Sequence, residues 1–266
     1  MVTSINLLGG GGGGDTAFRD AAVSPEGKRS ADPLPADIAA RNEELVDAWA
    51  DRLYHETADN ILDWTREYAP GPVVLTMSME NTVLVDLAQG RLPGVDMVFL
   101  DTEYHFAETL TVAEEVEARY PGNKLIRAKA ILSRQEQDET YGKNMYQWNP
   151  TACCRMRKVE PIQRELSAYV GAVDGLRRAD GPTRADAPAL SLNKTGRLKI
   201  SPIITWSLAD TEDYIREQGL ISHPLTYQGY PSIGCATCTL PVAPGEDPRA
   251  GRWAGSGKTE CGLHTD

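Results

Sequence analysis

Two adjacent cysteines, Cys153 and Cys154, run straight into Arg155-Met156-Arg157-Lys158, and a second pair, Cys235-Ala236-Thr237-Cys238, sits in a turn between Gly234 and Pro241. Together the two pairs offer four thiolates, a complete ligand set that suits either zinc or an iron-sulfur cluster. Taken singly, each pair has a plainer reading, as two small buried hydrophobes or as a redox disulfide. Both together, with a cation-rich helix beside one of them, favour one shared metal site. A fifth cysteine, Cys261, stands apart in Lys258-Thr259-Glu260-Cys261-Gly262-Leu263-His264 and needs a role of its own.

Local signals place the first pair. Asn149-Pro150 is a helix start, Asn as the cap and Pro in the first turn, and apolar residues at Met156, Val159, Ile162 and Leu166 carry the helix onward. Cys153 and Cys154 then lie in the first turns, where the positive end of the helix dipole favours thiolate over thiol. Residues four apart share a helix face, so Lys158 falls beside Cys154 and Arg157 beside Cys153.

The elements that must hold this chemistry follow from the apolar runs. Residues 1–36, with an unbroken glycine run at Gly9–Gly14 and prolines at 25, 33 and 35, read as a disordered segment. Asp37 is expected to cap a helix carrying Ile38, Leu45, Val46, Trp49 and Leu53. Strands are expected at 73–77, 95–100, 125–128 and 169–173, alternating with helices at 82–88, 109–119 and 133–141 and with the cysteine helix. That alternation predicts an α/β fold, a parallel sheet covered by helices on both faces. In such sheets ligands bind beyond the carboxyl ends of the strands, which here gathers Ser78–Asn81, Asp101–Tyr104 and Asp174–Arg178 around one crevice. Residues 181–192 read as a Pro/Ala-rich loop before a short strand at Lys199-Ile200, and Ser207 opens a further helix that Gly219 ends. The α/β domain therefore spans 37–240. Residues 241–266, rich in Gly, Pro, Arg and Lys, form a mobile C-terminal tail that orders only over a ligand.

Composition narrows the partners. The formal net charge of −11 over 266 residues argues against nonspecific nucleic-acid binding. No apolar run is long enough for a membrane span, and the N-terminal segment lacks the features of a secretory signal, so a soluble cytoplasmic protein is expected. The cations cluster instead at Arg155–Lys158, Arg177-Arg178, Arg249, Arg252 and Lys258, as a small anionic substrate requires.

Five separated stretches in order carry a resemblance: Cys153–Val159, Asp174-Gly175-Leu176-Arg177-Arg178, Gly229–Cys238, Arg249-Ala250-Gly251-Arg252-Trp253 and Lys258–His264. From about residue 37 onward the chain resembles the assimilatory adenylyl-sulfate reductases of the phosphoadenylyl-sulfate reductase family. The resemblance implies an adenine-nucleotide α-hydrolase-like fold, a [4Fe-4S] cluster on Cys153, Cys154, Cys235 and Cys238, and Cys261 as the catalytic nucleophile. It implies adenylyl sulfate as substrate, since paired cysteines distinguish the cluster-bearing members from those that use the 3′-phosphorylated compound. Thioredoxin is the implied reductant, and a homo-oligomer is compatible with the family. Lys158, Arg177, Arg178, Arg249, Arg252, His264, Ser78, Asp101 and Thr102 become the candidate substrate-binding residues.

One departure stands out. Many family members carry a Ser-Gly-Gly-rich phosphate loop after the first strand, whereas this chain has Ser78-Met79-Glu80-Asn81. Loss of the glycines removes the easy close approach of backbone to phosphate, and Glu80 would repel an anion if it pointed inward. Contacts to substrate would therefore come mainly from the arginines. Competing readings are a phosphoadenylyl-sulfate reductase, an ATP-pyrophosphatase-type iron-sulfur enzyme for sulfur transfer, and a zinc-stapled interaction domain.

Overall fold

The computed structural model describes residues 33–253 together with Lys258 and Gly262. Helix α1 (Ala36–Leu53) buries Leu45 and Leu53, and α2 (Ala58–Tyr68) starts where Thr57 Oγ1 accepts from the Asn60 backbone N–H at 3.2 Å. Then come β1 (Val73–Met77), α3 (Val83–Gln89), β2 (Asp96–Asp101), α4 (Ala107–Arg119), β3 (Leu125–Lys129) and α5 (Arg134–Tyr141). Ser133 and Glu136 close a reciprocal capping box at the start of α5. Asp37 does not cap α1: Pro35 is the residue before the helix, and Asp37 lies inside the first turn, where its charge still favours the dipole.

The cysteine helix is interrupted. After the short α6 (Met145–Trp148), α7 (Pro150–Cys154) begins at Asn149, whose Oδ1 accepts from Ala152 N at 3.0 Å, as the sequence predicts. Residues Arg155–Val159 then form one π-helical turn before α8 (Glu160–Leu166) resumes. A π turn spaces bonded residues by five rather than four, and Arg157 and Lys158 line one pocket together with Cys153 and Cys154.

The chain continues through β4 (Gly171–Val173), β5 (Leu190–Leu192), β6 (Leu198–Ile200) and α9 (Leu208–Gln218). The sheet order is β3-β2-β1-β4-β6-β5, with every pairing parallel except β5 with β6. The sheet is thus mostly parallel rather than wholly so. The last hairpin forms because Asn193 Oδ1 accepts from the N–H groups of Thr195 and Arg197, at 2.9 and 3.0 Å, and closes a tight turn; its strand β5 falls within the stretch 181–192 expected to be loop.

Both faces are apolar, as strands buried from two sides require. On one face Leu75, Met77, Met97, Phe99, Val173 and Ile200 join side chains of α1–α4 in the larger core. On the other, Val74, Val98 and Ala128 pack against Ile162 and Leu166 of α8. Each fully buried aliphatic side chain contributes about 1.5–3 kcal/mol. Buried Asn42 of α1 ties the layers together, its Nδ2 donating to Val170 O at 3.1 Å and to Gly196 O at 2.8 Å. Among the described residues no helix is long and apolar enough to cross a membrane.

Residues 241–253 are hydrogen-bonded to the body of the protein. Val242 N donates to Gly229 O, Leu240 N to Gly251 O and Trp253 N to Cys238 O, all at 2.8–2.9 Å, so this stretch is pinned to the C-x-x-C turn. Residues 1–32 and most of the chain beyond 253, including Cys261 and His264, lie outside the described residues.

Candidate functional site

The carboxyl ends of β1, β2 and β4 open onto a cleft of about 350 Å³, whose walls include Ser78, Glu80, Thr102, Lys158, Asp174, Arg177, Arg249 and Arg252. A second, smaller pocket is lined by Cys153, Cys154, Cys235 and Cys238, together with Tyr104, Arg157, Lys158 and Trp253. Lys158 and Cys235 belong to both linings, so cleft and cysteine pocket share a wall.

All four cysteines are free thiols. Burial, reinforced by the neighbouring sulfurs of Cys154, Cys235 and Cys238, pushes the Cys153 thiol up to about 12, and burial also raises Cys238. Three buried cysteines and the half-buried Cys238, with no disulfide among them and close enough to oppose one another's ionisation, fit a soft metal centre that would supply the compensating positive charge. Among the described residues no group of three or more His, Cys, Asp or Glu side chains stands ready-arranged as a metal site. The donor set matches the expected ligands, and the identity of the metal rests on other grounds.

Two of the expected substrate-binding residues face elsewhere. Arg178 turns away from the cleft: Nε donates to Ala187 O and Nη2 to Tyr54 O, each at 2.9 Å, with the guanidinium 3.7 Å over the Tyr54 ring. It fastens the loop after β4 to the end of α1. Asp101 pairs with Lys129 at 3.2 Å and accepts from Glu103 N at 3.1 Å, outside the cleft wall. Alternating side chains send Asp101 and Thr102 in different directions, and only Thr102 reaches the cleft.

Arg177 stays at the cleft wall but is already engaged, with Asp180 through Nε and Nη2 at 2.9 and 2.8 Å and with Thr211 through Nη1 at 2.8 Å. Arg252 donates to Ser232 Oγ at 3.1 Å and stacks 4.7 Å from the Trp253 ring centroid. The close approach of this guanidinium is possible because residue 234 is glycine; a Cβ there would collide with it. Lys158 is 8 % exposed and lies 5.9 Å from the Trp253 ring. Lys258 Nζ donates to Thr151 Oγ1 at 3.3 Å, which places Lys258 beside the first turn of α7.

Several backbone donors in and after the β1 loop are already engaged within the protein. Glu80 N donates to Ser78 Oγ at 3.4 Å, Thr82 N to Ile221 O at 3.1 Å and Val83 N to Asn81 Oδ1 at 3.2 Å, so these donors serve the protein itself. Met79 holds a left-handed backbone with φ of 63°, and its side chain is fully buried. Glu80 does point inward. Burial raises its carboxyl above the ordinary range, Asp180 adds to the rise, and the Arg177 and Arg252 charges together with the Ile233 N–H pull the other way. Sequence reasoning missed Arg184, Arg197 and Lys199, which also line the cleft; alternation in β6 was the available signal for Lys199.

Comparison with known proteins places the chain in a family. Residues 72–241 match the family model of the phosphoadenosine phosphosulfate reductase domain. An adenosine 5′-phosphosulfate reductase of Mycolicibacterium smegmatis is 46% identical over 222 residues, covering 83% of this chain and 94% of that protein. One of Streptomyces coelicolor is 44% identical, covering 84% and 97%, and one of Mycobacterium tuberculosis 40%, covering 91% and 99%. Among solved structures, the phosphoadenylyl-sulfate reductase of Candida auris in its phosphate complex superposes with a TM-score of 0.61 at 24% identity, over 79% of this chain and 100% of that one. The FMN adenylyltransferase of Candida glabrata gives 0.50 at 18% identity over 77% and 73%. Those two likenesses speak to the adenine-nucleotide α-hydrolase-like fold. With a family model spanning most of the sheet and relatives matched nearly end to end, the chain belongs to the phosphoadenosine phosphosulfate reductase domain family.

Proposed function

We propose that this chain is an enzyme that reduces adenylyl sulfate to sulfite and AMP, with thioredoxin as the electron donor, in cytoplasmic sulfate assimilation. The observation that carries the reading is the wall shared by the cationic cleft and the four-cysteine pocket, with Lys158 in both. The names of the similar proteins point the same way.

Arg249, Arg252 and Lys158 would neutralise the sulfate and phosphate oxygens, the arginines in bidentate geometry. Glu80, being inward and acidic, would leave the anionic end of the substrate to these cations. The Cys261 thiolate would attack the sulfur of the bound sulfate and break its bond to the phosphate oxygen, so that AMP departs and a Cys–S–SO₃⁻ adduct remains. A thioredoxin thiolate then attacks Cys261 Sγ and releases sulfite; its second thiol resolves the mixed disulfide, so the two electrons come from the dithiol. Cys153, Cys154, Cys235 and Cys238 would hold a [4Fe-4S] cluster that ties α7 to the C-x-x-C turn and supplies local charge. In this assignment residues 241–266 carry the nucleophile, and His264 assists Cys261 or contacts substrate.

The test is the intact mass of anaerobically purified protein mixed with adenylyl sulfate in the absence of thioredoxin, followed by peptide mapping. A sulfonate adduct on the Cys261 peptide, discharged as sulfite by thioredoxin, is the expected result. Cys261→Ser should abolish sulfite release while the visible absorption of the cluster persists. No adduct on a protein with its cluster intact would overturn the reading and make ATP the next ligand to try, and zinc in place of iron would point to a structural staple.

A further inference from the structure

Glu103 is an odd residue for its place. It follows Thr102 at the carboxyl end of β2 with a left-handed backbone, φ 59°, a conformation that a side chain disfavours and that glycine adopts freely. Something must hold it there. Its N–H donates to Asp101 Oδ1 at 3.1 Å, and its carboxylate accepts from Arg157 Nη1 at 2.5 Å and from the Arg134 backbone N–H, in the first turn of α5, at 3.0 Å. Arg157 is 1 % exposed, the largest of the fully buried side chains. Its Nε donates to Gln137 Oε1 of α5 at 2.7 Å, its guanidinium lies 5.6 Å from the Tyr104 ring centroid, and its Nη2 is buried with no hydrogen-bond partner among the described residues. The same side chain lines the pocket of the four cysteines, and its charge favours the Cys153 thiolate.

Arg157 stands at the middle of the π turn Arg155–Val159, one residue before Lys158. A π turn in a helix is less stable than the α form and persists where outside contacts over-determine it, often at functional sites. Here the outside contact is a charge-assisted bond from a buried guanidinium to a strained residue on the neighbouring loop.

We propose that Glu103 is a positioning residue: its carboxylate anchors Arg157, and through it the π turn, so that Lys158 faces the cleft while Cys153 and Cys154 face Cys235 and Cys238. The part of this that concerns metal retention rests on the four-cysteine reading above. The anchoring itself does not.

The experiment uses two variants of the full chain. Glu103→Gly removes the anchor and relieves the backbone strain, so the fold is expected to survive; Glu103→Gln keeps an acceptor of the same length. In metal-free protein, amide hydrogen exchange of Arg155–Val159 is expected to quicken at least tenfold in Glu103→Gly and to return toward wild type in Glu103→Gln, with the strands β1 and β2 unchanged. In anaerobically reconstituted protein, iron release to a chelator should quicken several-fold in the glycine variant and be rescued by glutamine. Wild-type exchange across Arg155–Val159 in Glu103→Gly would overturn the proposal, as would a uniform loosening of the whole domain without a larger effect in that turn. A wild-type protein that binds no iron would sink the metal reading alone, because the exchange measurement still decides the anchor.

Discussion

Thr102 Oγ1 lies 3.2 Å from Cys235 Sγ, joining the carboxyl end of β2 to the C-x-x-C turn across a sequence separation of 133 residues. The contact is buried, and Thr102 is also part of the cleft wall, so one hydroxyl serves both compartments. Thr102→Val keeps the shape and deletes the hydroxyl. A neutral buried hydrogen bond is worth on the order of 1 kcal/mol, so iron release from reconstituted protein should quicken by about fivefold. Release at the wild-type rate would mean that the hydroxyl does not support the ligand sulfur.

Gly234→Ala places a Cβ 2.7 Å from Arg252 Cζ, with the end of the guanidinium nearer still. The arginine has to swing out of the cleft. If Arg252 contacts substrate as proposed, losing that charge-assisted contact should raise KM for adenylyl sulfate by about tenfold or more while the visible absorption of the proposed cluster is retained. Steady-state kinetics decide it: an unchanged KM removes Arg252 from the substrate contacts.

Glu80 gives binding a pH dependence whose sign is fixed by its surroundings. Its carboxyl is raised by burial, with Asp180 adding to the rise and Arg177 and Arg252 opposing it. Below the raised value it is neutral and tolerates an anion; above it the carboxylate repels one. AMP affinity should therefore fall as pH rises through that value. Glu80→Gln should bind AMP more tightly than wild type at pH above that value and lose this component of the dependence. Calorimetric titration across pH is the measurement, and parallel curves for the two proteins would place Glu80 out of range of the ligand.

His223 is fully buried, with Nδ1 accepting from Leu225 N at 3.2 Å and Nε2 2.9 Å from Thr109 Oγ1. Burial lowers its pKa from 6.5, with the nearby His105 adding to the shift and Glu108 opposing it. The unfolded chain then binds a proton more readily than the folded one. The stabilisation is complete above pH 6.5 and falls as pH drops below it, by up to about 1.4 kcal/mol per unit for each such histidine. His105, lowered mainly by burial, acts in the same direction. Urea unfolding on the acid side of that value should show the decline, and His223→Asn should make the slope shallower. An unchanged slope would mean that His223 is not the group responsible.

Much of this architecture is legible from local chemistry. The apolar run at Val73–Met77 is long enough only for a buried strand, and Leu125–Ala128 reads as a strand; both form strands, the first central and the second at the sheet edge. The helix starts at Asn149-Pro150 and Ser207 were readable because a side-chain cap is a contact within a few residues. The strand β5 was not, since Leu190-Ser191-Leu192 is too short to show a period, and its pairing depends on the Asn193 turn and on β6 behind it. Arg178 and Arg177 look alike in sequence. Only the position of Tyr54 at the end of α1 and of Asp180 beyond the loop decides what each one holds.

By itself the sequence determined which atoms are available: four paired thiols, a separate Cys261, clustered cations, and a β1 loop without the glycines of a phosphate cradle. Composition and spacing suffice for that, because ligand softness, charge and backbone freedom belong to residue types. Tertiary structure alone decided which atoms meet. The π turn at Arg155–Val159, the inward carboxyl of Glu80 and the wall shared by cleft and cysteine pocket all arise from contacts between segments far apart in the chain. A side chain's direction is set by what packs against it, and that partner is not encoded within a local window.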